Sequence, residues 1–263
     1  MKKIALITRT KINELSECLV FTRKCLSEFK IKQGYICVTG LITASPTISS
    51  SDGEIQYLYT RSEGPSAVLN EVINKIGNKF DYFIISKEVK IKKADFQKMR
   101  EIINRKNHKV LVIGYKLQDK IKETGEEITE KKDQKGIAFK VPWNTCALWN
   151  SKLFTTYVEK FDEICDGKLG EIVLSQFRPP RITKIEGMED GLGIAKVANI
   201  PKSLGVKVIL IDKYLDWVFS QEKPDRIWKQ ETKMARKSIV LSELMRIRNY
   251  CEGKLRNLLA VVK

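Results

Sequence analysis

One histidine in 263 residues is the first restriction this chain imposes. His108 stands alone in NRKNHKVLVIG, just before an apolar run, where it reads as solvated or capping. Ser-His and Cys-His nucleophilic schemes need a histidine base, and poly-histidine metal centres are impossible here. Any general base is therefore sought among Asp and Glu. Cysteine is equally uninformative as chemistry: Cys18, Cys25, Cys37, Cys146, Cys165 and Cys251 are scattered without a CxxC pair. That spacing argues against both a zinc site and a disulfide scaffold. No run approaches the roughly 18 apolar residues of a membrane span. The opening MKKIALITRTK holds too short an apolar stretch for a signal peptide, so it reads as a first buried strand and the expected location is cytoplasmic.

What the chain has in excess is positive charge. Lys and Arg number 48 against 32 Asp and Glu, a formal net charge of +16. Such an excess attracts polyanions: nucleic acid, acidic lipid or phosphorylated ligands. The cations are spread along the chain, no aromatic-flanked RNA motif accompanies them, and a lysine-rich genome explains most of the surplus. No nucleic-acid partner is expected. The length suits one large or two small domains with a core that needs no disulfides.

Hydrophobic periodicity gives the architecture. KIALIT (3–8) reads as a buried strand, and Leu15, Cys18, Leu19, Thr22, Cys25, Leu26 and Phe29 recur at helical spacing over about 13–29. YICVTG is a second strand ending at Gly40, and EIQYLYT a third after a Ser/Thr-rich loop. Pro65 suits the first turn of a helix whose apolar side is Val68, Leu69, Val72, Ile73 and Ile76. DYFIIS, a helix in KKADFQKMREIINRK, and KVLVIGYKL follow. This alternation predicts an α/β fold: a mostly parallel central sheet flanked by helices on both faces. Residues 118–135, almost wholly charged, read as a mobile loop. Beyond them the expectation is an apolar strand within GIAFKVPWNTCALWNSKLF, a helical LGEIVLSQFR, a helix starting at GMEDGLGIAKVA and a strand in GVKVILID. A helical C-terminus completes the series. The domain boundaries read as 1–228 for the main domain and 229–263 for a basic amphipathic helical segment packed on it.

In open α/β sheets ligands bind beyond the carboxyl ends of the strands. Three features fall at such ends: Thr8-Arg9, Ser86-Lys87-Glu88 and the segment from Arg61 to Asn70, RSEGPSAVLN. The last offers a cation, a turn glycine and a new helix N-terminus, which suits a diphosphate. An ordinary capped loop fits the same residues.

Taken in order, these pieces resemble the GT-A glycosyltransferases, in particular the family 2-like enzymes that use nucleotide-diphosphate sugars. The resemblance runs over about residues 3–212 and rests on the ordered series. It comprises a first strand and long helix, Arg61-Gly64-Pro65-Ser66 leading to Asn70, the strand YFIISKEVKI, and the Glu189-Asp190 pair in EGMEDGLGIAKVANIPKSLGVKVILID. It implies a Rossmann-like nucleotide-binding half and transfer of a sugar, with inversion, from a nucleotide-diphosphate donor to a hydroxyl acceptor. Thr8, Arg9, Arg61, Asn70, Ser86 and Lys87 would contact the donor. Asp190, with Glu189 beside it, would be the general base; the same acids also suit a helix N-terminus without any chemistry.

Where the family carries an Asp-x-Asp pair that binds a divalent cation, this chain has Ser86-Lys87-Glu88. Three readings stay open. Mn²⁺ or Mg²⁺ could bind through Glu88, substrate phosphates and water. Lys87 could neutralise the diphosphate itself. Or the site is a mere strand-to-helix turn in a non-catalytic protein that binds a nucleotide sugar or a partner protein. On the acceptor side, Trp143 would stack on a sugar face and Asn144 bond a hydroxyl, packing being the alternative for Trp143, whereas Trp149 reads as core. Residues 234–263 hold seven Lys and Arg against two Glu. Such a helix can rest peripherally on an anionic membrane, which would suit a lipid-linked or cell-envelope glycan acceptor, or can simply pack with a solvated basic side.

Overall fold

Strand runs apolar on both sides alternate with helices apolar on one side, and the chain folds accordingly. The computed structural model describes residues 2–39, 48–50, 54–60, 65–105, 109–121, 142–161, 171–174, 181–184 and 205–219. In chain order the elements are β1 (Lys3–Lys11), α1 (Leu15–Phe29), β2 (Gln33–Thr39), β3 (Ile48–Ser50), β4 (Ile55–Tyr59), α2 (Pro65–Ile76), β5 (Phe80–Ile85) and β6 (Val89–Lys90). They continue with α3 (Lys93–Ile103), β7 (Lys109–Ile121), β8 (Cys146–Trp149), α4 (Ser151–Tyr157), β9 (Glu171–Leu174), β10 (Arg181–Lys184) and β11 (Val206–Phe219).

Nine strands form one sheet in the order β3-β4-β2-β1-β5-β8-β7-β11-β6. β4, β2, β1 and β5 run parallel. β8 enters antiparallel between β5 and β7, so β7 regains the direction of β1 and β11 follows it in parallel. β3 and β6 pair antiparallel at the two edges. The sheet is therefore mixed, with as many antiparallel as parallel pairings, where a mostly parallel one was expected.

Successive strand residues point to opposite faces, and each face has its own helices. Ile4, Leu6, Ile36, Val38, Phe83 and Ile85 pack with Cys18, Cys25, Leu26 and Phe29 of α1 and with Phe96, Met99 and Ile103 of α3. Ala5, Ile7, Tyr35, Cys37, Tyr82 and Ile84 pack with Val68, Leu69, Val72, Ile73 and Ile76 of α2 and with Phe154 of α4. Burial on both faces is why these strands read as unbroken apolar runs. Gly114 marks the closest backbone approach: a Cβ there would lie 2.7 Å from the Cys146 carbonyl oxygen and 2.6 Å from the Pro142 side chain.

Asp81 joins β5 to α4 from inside. One of its oxygens accepts from the Ser151 N–H at 3.0 Å and the Ser151 hydroxyl at 3.2 Å. Burial pushes its pKa up, against the opposing pull of the Ser151 bonds and of Lys2. The folded state thus holds this proton more tightly than the unfolded chain does. The charged form then costs stability above the folded pKa, and that cost disappears as pH falls through it. Asp81→Asn keeps an acceptor for Ser151 without the charge. We expect it to match or exceed wild-type stability near neutral pH, with the difference shrinking on acidification through the carboxylate range; urea midpoints at the two pH values check this. A difference that widens in acid would contradict the assignment.

Three sequence expectations change. The charged stretch after 117 does not begin as a loop: Gln118–Ile121 extend β7, because β11 runs alongside and pairs with them. LGEIVLSQFR was read as helical, but Glu171–Leu174 form a strand that pairs antiparallel with β10. The first strand outruns its apolar core by three residues, to Lys11. The basic segment 229–263 and the remainder of 122–141 lie outside the described residues.

Candidate functional site

Strand order locates the site. From β1 the chain steps outward to β2 and β4 on one side, then crosses to β5 on the other. A doubly wound sheet opens a crevice at such a reversal, beyond the carboxyl ends of the two strands. Parallel pairing with Ile7 opposite Ile84 sets the loops after β1 and β5 side by side at that edge.

Each loop contributes charge. After β1, one turn of 3-10 helix (Ile12–Glu14) leads into α1, bringing Glu14 and Glu17 to the start of that helix. After β5, Ser86-Lys87-Glu88 forms a turn closed by the Val89 N–H on the Ser86 carbonyl at 3.1 Å. The Ser86 N–H donates to the Thr145 carbonyl, and the Val218 N–H to the Glu88 carbonyl, both at 2.9 Å. The turn is thus fastened to the approach of β8 and to β11.

Lys87 spans the gap. Its Nζ lies 2.7 Å from Glu14 Oε2 and 2.8 Å from Glu17 Oε2. Only 18% of the Lys87 side chain is exposed, against 73% of Glu17. Burial alone would lower its pKa, but the hydrogen bonds and charges of Glu14 and Glu17 outweigh it and push the ammonium's pKa up. Lys87 stays charged throughout the physiological range. Beside it the Ser86 hydroxyl donates to Glu88 Oε2.

The other expected contacts are placed differently. Thr8 is buried, its hydroxyl 3.0 Å from that of Thr22 and donating to the Tyr35 carbonyl at 3.5 Å, so it faces α1. Arg9 is exposed one residue on. Asn70 is buried in α2, and its amide donates to the Phe161 carbonyl at 2.9 Å while accepting from the Phe161 N–H at 2.8 Å. Asn144 Oδ1 accepts from the Trp149 indole N–H at 2.7 Å, and Trp143 packs partly buried against the α2–α4 side of the core. Arg61, Glu189 and Asp190 lie outside the described residues. The site therefore gathers Ser86, Lys87 and Glu88 with two residues that sequence reasoning missed, Glu14 and Glu17. Their signal was an acidic pair three apart at a helix start, which the helix dipole also favours without any function.

Burial pushes the thiol pKa of Cys18 up, and those of Cys25 and Cys37 to about 12, so the reactive thiolate is suppressed.

A resident divalent ion fits this donor set poorly. Among the described residues no group of three or more His, Cys, Asp or Glu is arranged to hold a metal. The two glutamates facing the crevice are committed to an ammonium, which would repel an ion lodged beside it, and Glu88 Oε2 already accepts from Ser86.

The fold is a mixed α/β sheet whose strand order reverses between β1 and β5. No protein-family model and no curated protein matches the chain. Among solved structures it shows a likeness to S. aureus TarS, a glycosyltransferase, at 14% sequence identity and a TM-score of 0.45. The likeness covers 87% of this chain but only 39% of that one, so this chain spans well under half its length. At that TM-score it carries no weight for activity. No helix among the described residues is long and apolar enough to cross a membrane.

Proposed function

We propose that this chain binds a nucleotide-diphosphate sugar in the crevice between β1 and β5 and transfers the sugar to a hydroxyl acceptor. One observation carries the reading: the reversal of strand order between β1 and β5, the kind of position beyond whose carboxyl strand ends open α/β sheets bind ligands. The ordered series of glycosyltransferase-like segments supports it, since Ser86-Lys87-Glu88 and the end of β1 both lie at that edge. Arg9 and Arg61 are proposed to attract the diphosphate, and Asp190 to take the acceptor's proton, with Glu189 beside it. Trp143 and Asn144 are held by packing and by Trp149, which leaves them a minor part in acceptor binding at most.

Thermal unfolding of the full chain against UDP, GDP, CMP and dTDP tests the reading. A ligand that binds only the folded state adds about 2.7 kcal/mol at a hundred times its dissociation constant. We expect one nucleotide to raise the midpoint; no rise with any of them would overturn the proposal. The second reading is a protein that binds the donor without transfer. Lys87 held by two acids, where the family has acids that hold a cation, favours it. Release of the nucleoside diphosphate from the bound donor on adding acceptor glycans separates the two.

A further inference from the structure

We propose that this chain holds a second ligand site at the amino edge of the sheet, where Lys30 and Lys32 bind a small compound carrying a diphosphate. A cavity of about 540 Å³ opens there, within the size range of small-molecule pockets. It lies between the end of α1 and the starts of β2 and β4. Those strands run parallel to β1 and β5, so the cavity is on the edge opposite the crevice read above. Leu26, Ile31 and Ile55 form its buried floor, and Lys30, Lys32 and Glu54 stand exposed around it. Arg23 also lines it but has a partner of its own, so it is given no part in holding the ligand. Two ammonium groups then face one carboxylate. Neither lysine has an ion-pair partner among the described residues.

The backbone that carries Lys30 is fixed, and fixed at a cost. The Lys30 N–H closes the end of α1 on the Leu26 and Ser27 carbonyls, and the Ile31 N–H reaches the Leu26 carbonyl at 3.0 Å. Lys30 itself sits in the left-handed region, at φ 55 and ψ 42. Helices that end this way mostly use glycine, because a side chain crowds its own backbone there. A lysine in that place gives up stability, and strain of this kind gathers at functional sites. Across the cavity, the Glu54 carbonyl accepts from the Gly34 N–H at 2.7 Å and from the Gln33 side chain at 3.3 Å, which ties the start of β4 to β2. Both walls are thus set before a ligand arrives. Lysines present separate point charges, and a diphosphate offers two adjacent charged groups to meet the pair.

Amide NMR of the full chain titrated with inorganic pyrophosphate reads the two edges of the sheet separately. We expect the amides of Lys30, Ile31, Lys32 and Ile55 to shift along one saturable curve. Lys30→Gln combined with Lys32→Gln should weaken that binding about tenfold. Lys93→Gln with Lys98→Gln removes the same charge from exposed positions of α3 and should change it by less than about twofold. Glu54→Gln should tighten it. Lys30→Gly should weaken it while keeping or raising the urea midpoint, since glycine relieves the left-handed backbone. Equal losses from the two lysine pairs would reduce the effect to diffuse attraction by the net charge and overturn the inference. Shifts confined to Ser86, Lys87 and Glu88 would overturn it too, while leaving the crevice reading in place. Pyrophosphate that moves no amide at the amino edge sinks it outright.

Discussion

Replacing Trp149 by alanine is expected to lower the unfolding free energy by about 3–5 kcal/mol, the range for removing a fully buried large aromatic. Domains have only about 5–15 kcal/mol in total, so this variant should be near the edge of folding. The reason lies in what the ring touches. Trp149 ends β8 between Tyr82 of β5 and Val112 of β7, with none of its surface exposed. Its ring meets Phe154 and Phe161 edge-on, each at 5.4 Å between centroids, and those two meet each other at 5.0 Å. Tyr82 joins the cluster through Phe154 at 5.9 Å. Alanine would empty the centre of this group, and three strands and a helix cannot all close on the void. Trp149→Phe refills much of the space but removes the indole donor from Asn144 Oδ1. It should therefore fall between wild type and alanine. Equilibrium urea denaturation measures both, and a loss under about 1 kcal/mol for alanine would show that the cluster does not hold the sheet together.

That cluster shows which parts of the fold the sequence made legible. Val68, Leu69, Val72, Ile73 and Ile76 lie on one side of α2 by spacing alone, and all five are buried. The first strands were legible for the same reason: residues covered on both faces leave runs that no polar residue interrupts. The antiparallel entry of β8 was not. Cys146–Trp149 form a four-residue strand, and nothing in four apolar residues states direction or neighbours. β9 failed differently, since Ile172, Val173 and Leu174 suit a helix or a strand equally and only the partner β10 decides.

The site was legible as a location and much less so as an arrangement. Ser86-Lys87-Glu88 was found because it ends an apolar strand. Its partners were hidden because Glu14 and Lys87 stand 73 residues apart, and only the register of β1 against β5 brings them together. Thr8 illustrates the converse error. By its apolar run Thr8 reads as a strand end, yet β1 continues to Lys11, because β2 supplies partners for Arg9, Thr10 and Lys11. The alternation of the strand then turns Thr8 under α1 and leaves Arg9 exposed on the other side. A polar residue in a strand is thus a candidate for ligand contact only once the true end of the strand is known.

Asn70 brings the same lesson to a measurable end. In the motif order it sits where a donor-binding asparagine would be, and in the fold it joins α2 to the chain that follows α4. Phe161 is buried, and its N–H and carbonyl are both met by the Asn70 amide, 91 residues away in sequence. An asparagine side chain matches a peptide unit donor to acceptor, which neither aspartate nor leucine can do. Asn70→Ala would leave two buried backbone groups without these bonds, at about 1–3 kcal/mol each. We expect a total loss of about 2–6 kcal/mol in urea denaturation. Asn70→Asp, which accepts but cannot donate and adds a charge in a buried place, should be at least as damaging. The functional readout runs the opposite way. Because the amide is engaged by Phe161, Asn70→Ala should lower the melting temperature while the shift produced by a saturating nucleoside diphosphate stays close to that of wild type. A variant that keeps its stability but loses that shift would return Asn70 to the donor-binding role its place in the motif order suggests.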